Sequence, residues 1–201
     1  MNLILPRSQF GNPAHAGNLL SRASAEDILQ RWVPNTKLQL HMRQVGYLLR
    51  QWAAEVAHLP EREQWKWELA GLLHDADWEQ WPQQHCLKIL EHLEQLAVDP
   101  EVLHAIASHG PAHFGVAPQT ALAKMLYAFD ELSGLIHAYS LMRPGGYAGM
   151  DVKGVKKRIK EKSFAANVNR DEIMDACQRA GLDQDTLIEF IIKHQPEVKI
   201  G

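Results

Sequence analysis

Apolar residues along this chain recur at three- and four-residue offsets, and no run alternates with the two-residue period of a strand. The pattern predicts helices throughout. Ser24, followed by Ala25, Glu26 and Asp27, has the form of an N-cap and acidic first turn. It opens a short helix to about Val33, before Pro34. Further helices are predicted over about 37–57 and 61–74. Another runs over about 82–97, with Pro82 in the first turn, where proline is tolerated. Asp99 caps a helix that stops at Gly110 and Pro111. A Gly- and Pro-rich loop then leads to a long helix over 119–141. Residues 143–149 (RPGGYAG) read as a mobile loop, and Asp151 opens a short basic helix. Asn169 and Glu172 have capping-box spacing, and Gly181 sits where a helix C-terminus needs glycine. The last helix is predicted over about 183–194. The expectation is one all-α domain over 24–201, preceded by a loose Gly-, Asn- and Pro-containing arm over 1–23.

Composition agrees with this picture. The 201 residues suffice for one domain with a sizeable core. They are 46% hydrophobic and carry a net charge of −3, which argues against disorder and against a basic nucleic-acid surface. Duplex nucleic acid is therefore not an expected partner. The two cysteines, Cys86 and Cys177, are isolated, form no CxxC, and read as small core residues. Their use fits a reducing, cytoplasmic compartment. No stretch approaches the ~20 apolar residues of a membrane span. The apolar start, residues 1–6, is too short for a signal-peptide core.

The chemistry lies in the histidines, of which there are eleven. His41 falls on the apolar stripe of Leu38, Val45, Leu48 and Trp52. His109 continues the stripe of Val102 and Ile106, and His85 precedes Ile89 and Leu93 at offsets of four and eight. His104 lies about 200° round the helix from Val102 and is expected to point away. Asp130 lies beside the apolar face of Leu122 and Leu126, where a lone carboxylate is costly without a cation or donors. His74 and Asp75 are adjacent at the end of a predicted buried helix, so they project about 100° apart. A metal supplies one common reason for several inward polar groups.

The order His41, His74-Asp75, His85, His109, Asp130 resembles the HD-domain superfamily of metal-dependent phosphohydrolases. Residues 69–79 (LAGLLHDADWE), 108–110 (SHG), 129–132 (FDEL), 155–165 (VKKRIKEKSFA) and 168–170 (VNR) extend the likeness over about 36–192. The closest likeness is to small stand-alone bacterial HD-domain proteins. The resemblance implies an all-α HD-domain helical bundle. It implies that His41, His74, Asp75 and Asp130 bind one divalent transition metal. His85 and His109 would hold a second ion bridged by Asp75. Manganese, iron, zinc, cobalt and nickel all suit such donors. The activity implied is hydrolysis of a nucleotide or other small phosphate ester by a metal-activated water. Asp75 and Asp77 are the catalytic candidates, Asp77 as the residue that orients the water or acts as base.

Lys153, Lys156, Lys157 and Lys160 repeat along one helix, with Lys162 beyond it. They form a solvated face unless some meet substrate phosphates. Arg143, Lys156, Lys162 and Arg170 are the candidates for that role. Trp78 and Trp81 follow the doublet and either pack or wall a pocket. Two rival functions share the same ligands. One is oxygen-dependent bond cleavage at a di-iron centre, known in some HD-domain relatives. The other is a non-catalytic, metal-bound ligand-sensing module.

Overall fold

A computed structural model describes residues 3–7, 10 and 17–199. Among them are ten α-helices and no strand. In order they are α1 (Arg22–Trp32), α2 (Thr36–Glu55), α3 (Glu61–Leu73), α4 (Leu87–Gln95) and α5 (Pro100–Ala107). There follow α6 (Pro111–Phe114), α7 (Ala121–Met142), α8 (Val152–Lys160), α9 (Arg170–Ala180) and α10 (Gln184–His194). The expected all-α bundle is the observed one. Among the described residues, no helix is long and apolar enough to cross a membrane.

The bundle is organised around α7. This helix is apolar on most sides, with Leu122, Leu126, Phe129, Leu132, Leu135 and Ile136 all buried, as befits a central helix. It packs against α2, α5, α9 and α10. The most extensive helix pair is α2 with α3, and its cause is two glycines. A Cβ on Gly71 would come within 2.7 Å of Gly46 Cα and N, and a Cβ on Gly46 within 2.9 Å of the Glu68 carbonyl oxygen. The two backbones therefore touch, which only glycine at both positions allows. His41 lies five residues before Gly46 on α2, and His74 three residues after Gly71 at the end of α3.

Several sequence expectations shift. The first helix is capped by Ser21, whose hydroxyl accepts from the Ser24 N–H, rather than by Ser24. The predicted helix over 82–97 is broken. Pro82–Gln84 is a single 3-10 turn, His85 is extended, and Cys86 has a φ of 30° before α4 begins. A non-glycine residue in the left-handed region is strained. The compensation comes from Asp77: its Oδ1 lies 2.7 Å from His85 Nδ1, and its Oδ2 accepts from the Ile89 N–H at 3.0 Å. Asp77 thereby caps α4 from a distant part of the chain. The expected Gly- and Pro-rich loop contains the short α6, marked by Pro111 at its start and by Gly115 in the left-handed region at its end.

The expected loose arm is packed where it is described. Leu5 is 6% and Phe10 1% exposed, both within the main core. The Leu5 N–H donates to the Phe114 carbonyl at 3.1 Å. Asn18 bridges to the segment before α5, its N–H donating to the Ala97 carbonyl and its carbonyl accepting from the Asp99 N–H. Residues 8, 9 and 11–16 of that arm lie outside the described residues. His104, expected to point away, is only 5% exposed, and its Nε2 accepts from the Gln119 N–H at 3.1 Å. It tethers the loop after α6.

Two glycine substitutions should move stability in opposite directions. Gly71→Ala drives a methyl into the α2 backbone and should cost about 2–4 kcal/mol in denaturant unfolding. At Gly134, within α7, an added Cβ meets nothing within 4 Å. Gly134→Ala should therefore stabilise by roughly 0.5–1 kcal/mol through helix propensity. Equal effects of the two would refute the close backbone crossing.

Candidate metal centre

Five parts of the chain bring the six predicted ligands together. His41 comes from α2, His74 and Asp75 from the turn that ends α3, and His85 from the break before α4. His109 follows α5, and Asp130 lies midway along α7. Three of the histidines are fixed by a hydrogen bond at Nδ1. His74 Nδ1 donates to the Gly71 carbonyl (2.8 Å), and His109 Nδ1 to the Ile106 carbonyl (2.7 Å). His85 Nδ1 donates to Asp77. A carbonyl or carboxylate can only accept, so each ring turns Nε2 into the cluster.

The carboxylates face those nitrogens in a divided way. Asp75 Oδ2 lies 3.4 Å from His74 Nε2, while Asp75 Oδ1 lies 3.3 Å from His85 Nε2 and 3.6 Å from His109 Nε2. Asp130 Oδ1 lies 2.9 Å from His41 Nε2 and 3.4 Å from His74 Nε2. His74 is fully buried, and its Nε2 has no hydrogen-bond partner among the described residues. An orphaned nitrogen 3.4 Å from two carboxylate oxygens is the signature of donors meant to share an ion. Ligands ~2.1 Å from a metal in tetrahedral or octahedral array stand ~3.0–3.4 Å from one another. The residues therefore fit a divalent metal, and His41, His74 and Asp130 form one compact donor group, with His74, Asp75 and His109 a second.

Without a cation, protons on His74 and His85 take its place. Burial alone lowers the pKa of His74, but Asp75 and Asp130 outweigh it and hold it well above the usual imidazole range. Burial raises Asp75 and Asp130, yet the surrounding imidazoles pull both below the ordinary carboxylate range. Burial also lowers His85, while Asp75 and Asp77 raise it to about 9. Cys86 sits beside His85 and His109 but is a poor ligand. Its thiol donates to the Ile106 carbonyl, and burial together with Asp77 and Asp75 pushes its pKa up, away from the thiolate a metal needs.

The cluster opens on a cavity of about 560 Å³. Trp78 flanks it, edge-on to His85 at 4.9 Å between ring centres, and Phe114 packs on His85 and His109. Trp81 takes no part and packs on Trp32. The rest of the lining includes His113, Glu131, Asn167 and Glu172, with Gly134 on α7. Burial, with Asp130 and Glu172 close by, raises Glu131 to about 8. Pattern reasoning missed this wall. Glu172 read as a cap, Glu131 only as part of a motif, and nothing in helical periodicity marks His113.

Three of the four expected substrate residues are employed elsewhere. None of Arg143, Lys156, Lys162 and Arg170 lines the cavity. Arg143 Nη2 donates to the Ala148 carbonyl within its own loop. Lys156 pairs with Asp185 at 2.6 Å. The Arg170 guanidinium donates to the carbonyls of Phe164, Ala165 and Val168 and so folds the loop before α9 around itself. Asp77 is fully buried with both oxygens engaged, so it positions His85 and caps α4 instead of touching water at the site.

Metal-free protein should show a distinctive pH dependence. His85 has a raised folded pKa, so its stabilisation is complete below the unfolded value near 6.5 and is lost as pH rises through about 9. Stability measured with a chelator present should therefore fall by up to a few kcal/mol between those values. Metal displaces the protons, so loaded protein should lack this fall. A chelated protein whose stability is flat across that window would contradict the assignment. Asp75→Ala should remove most bound metal, whereas His104→Ala should leave metal content unchanged.

Residues 39–135 match the family model for the HD domain. The match opens two residues before His41 and closes five after Asp130, so it spans all six clustered residues. No curated protein and no solved structure matches the chain. The helical bundle, the His74-Asp75 doublet and this match agree in likening residues 39–135 of the chain to an HD domain.

Proposed function

We propose that this chain is a metal-dependent phosphohydrolase acting on a small phosphate ester. The supporting observation is the division of Asp75 between two sets of histidines. His41, His74, Asp130 and Asp75 Oδ2 would hold one divalent ion. His85, His109 and Asp75 Oδ1 would hold a second. Manganese, iron, zinc, cobalt and nickel all suit this donor set. When bound, such ions polarise a phosphoryl oxygen and acidify a water.

The chain's own residues do the rest. The Nδ1 bonds to Gly71, Ile106 and Asp77 keep three imidazoles aimed before any substrate arrives. Trp78 and Phe114 shield one side of the cavity from water. His113 lies in the wall outside the cluster, its Nε2 3.1 Å from Glu172 Oε1. It is the imidazole placed to give a proton to the leaving oxygen. In the net reaction a water oxygen bonds to phosphorus, the ester P–O bond breaks, and the alcohol departs with a proton.

Chelation should abolish phosphate release, and a divalent ion should restore it. His85→Ala should lower the metal content from about two ions to about one, while His41→Ala should disturb the other site. Activity in fully demetallated protein would sink the reading. Four imidazoles and two carboxylates also suit a pair of irons, so the iron-loaded form should be assayed for dioxygen uptake. Uptake without hydrolysis would favour an oxygenase. A fully metallated protein inert to both assays would favour a sensing module.

A further inference from the structure

Outside the histidine–aspartate cluster the cavity lining is acidic. Among the described residues no Lys or Arg lines it. Glu131 and Glu172 stand side by side there, bracketed by Asn169. The Asn169 N–H donates to Glu131 Oε2 at 3.3 Å, and its Nδ2 donates to Glu172 Oε1 at 2.9 Å. Beyond these bonds and the His113 contact to Glu172 Oε1, Glu131 Oε1 and Glu172 Oε2 have no protein hydrogen bond among the described residues. Glu172 is nonetheless buried, and both residues border the cavity. Gly134 follows Glu131 by three positions on α7, faces the same cavity, and leaves open space where a side chain would stand.

Two acceptor oxygens, held close together in a largely buried wall, disfavour a second or third phosphate. Such groups would meet acidic side chains with no lysine or arginine to pair, and His113 is already engaged by Glu172. A hydroxyl offers one donor and brings no charge. An ammonium offers three donors and supplies the positive charge beside which two carboxylates can stand together. The volume of about 560 Å³ suits a small molecule.

We propose that the cavity selects the phosphate monoester of a small amino alcohol, with its phosphoryl group at the histidine–aspartate cluster and its ammonium between Glu131 and Glu172. The proposal rests on the reading of that cluster as a phosphoryl site. It adds which ester is accepted, and the selecting residue Glu172 lies outside the matched HD segment.

Three near-isosteric compounds test it: 2-aminoethyl phosphate, 2-hydroxyethyl phosphate and propyl phosphate. Affinity for metal-loaded protein is measured by calorimetry, and kcat/KM by phosphate release. The amine should be favoured by about tenfold or more over the other two, as expected of a charge-assisted hydrogen bond. In Glu172→Gln, at unchanged metal content, that preference should collapse. Gly134→Leu should weaken all three alike. Equal handling of the three by the unmodified protein, binding of none, or a preference untouched in Glu172→Gln would overturn the proposal. Selective binding of the amine without phosphate release would uphold the selection and overturn the hydrolase reading. Hydrolysis of all three without preference would do the reverse.

Discussion

Two carboxylates, Asp75 and Asp130, are largely enclosed by the helical bundle beside the buried imidazole of His74, and that charge must be met. Four imidazoles meet it, drawn from α2, the end of α3, the break before α4 and the end of α5. Buried charge without compensation costs several kcal/mol per ion, so the architecture tolerates these groups only as a set. The break at His85 and Cys86 follows from the same requirement. A continuous helix over 82–97 would be locally cheaper, yet it would not bring His85 against both Asp75 and Asp77. The strained Cys86 backbone is the local cost of completing the set.

Most of the inner cluster was legible in the sequence because it obeys helical geometry. His41 and His109 lie on apolar stripes, and Asp130 lies beside one. His85 was reached by a wrong route. Periodicity placed it on the inner face of a helix that does not exist there, and Asp77 is what turns it inward. Its own role was misread for the same reason: a carboxylate two residues from Asp75 looks free in sequence, but both its oxygens are used in the fold. Arg170 and Lys156 show the limit from the other side. Sequence registers their charge but not the carbonyls and Asp185 that absorb it.

The cavity wall was illegible for a different reason. His113, Glu131, Asn167 and Glu172 come from α6, α7, the loop before α9 and α9 itself, and no local pattern links them. Part of this wall lies outside the HD-domain match. The chain thus divides its labour. The matched segment carries the clustered imidazoles and carboxylates together with His113 and Glu131, and the segment after it completes the lining with Asn167, Val168 and Glu172. Arg170 has a part in the second task, since the loop it gathers presents Asn167 and Val168 to the cavity.

The glycine contact between α2 and α3 bears on how such a protein can change over generations. Gly46 and Gly71 touch backbone to backbone, five residues after His41 and three before His74. The spacing of those two imidazoles is set there by main chain, which no side-chain replacement elsewhere can lengthen or shorten. Substitutions at Asn167 or Glu172 can therefore accumulate without moving that pair. A lineage carrying these two glycines is free to vary the lining of the cavity while His41 and His74 stay in register.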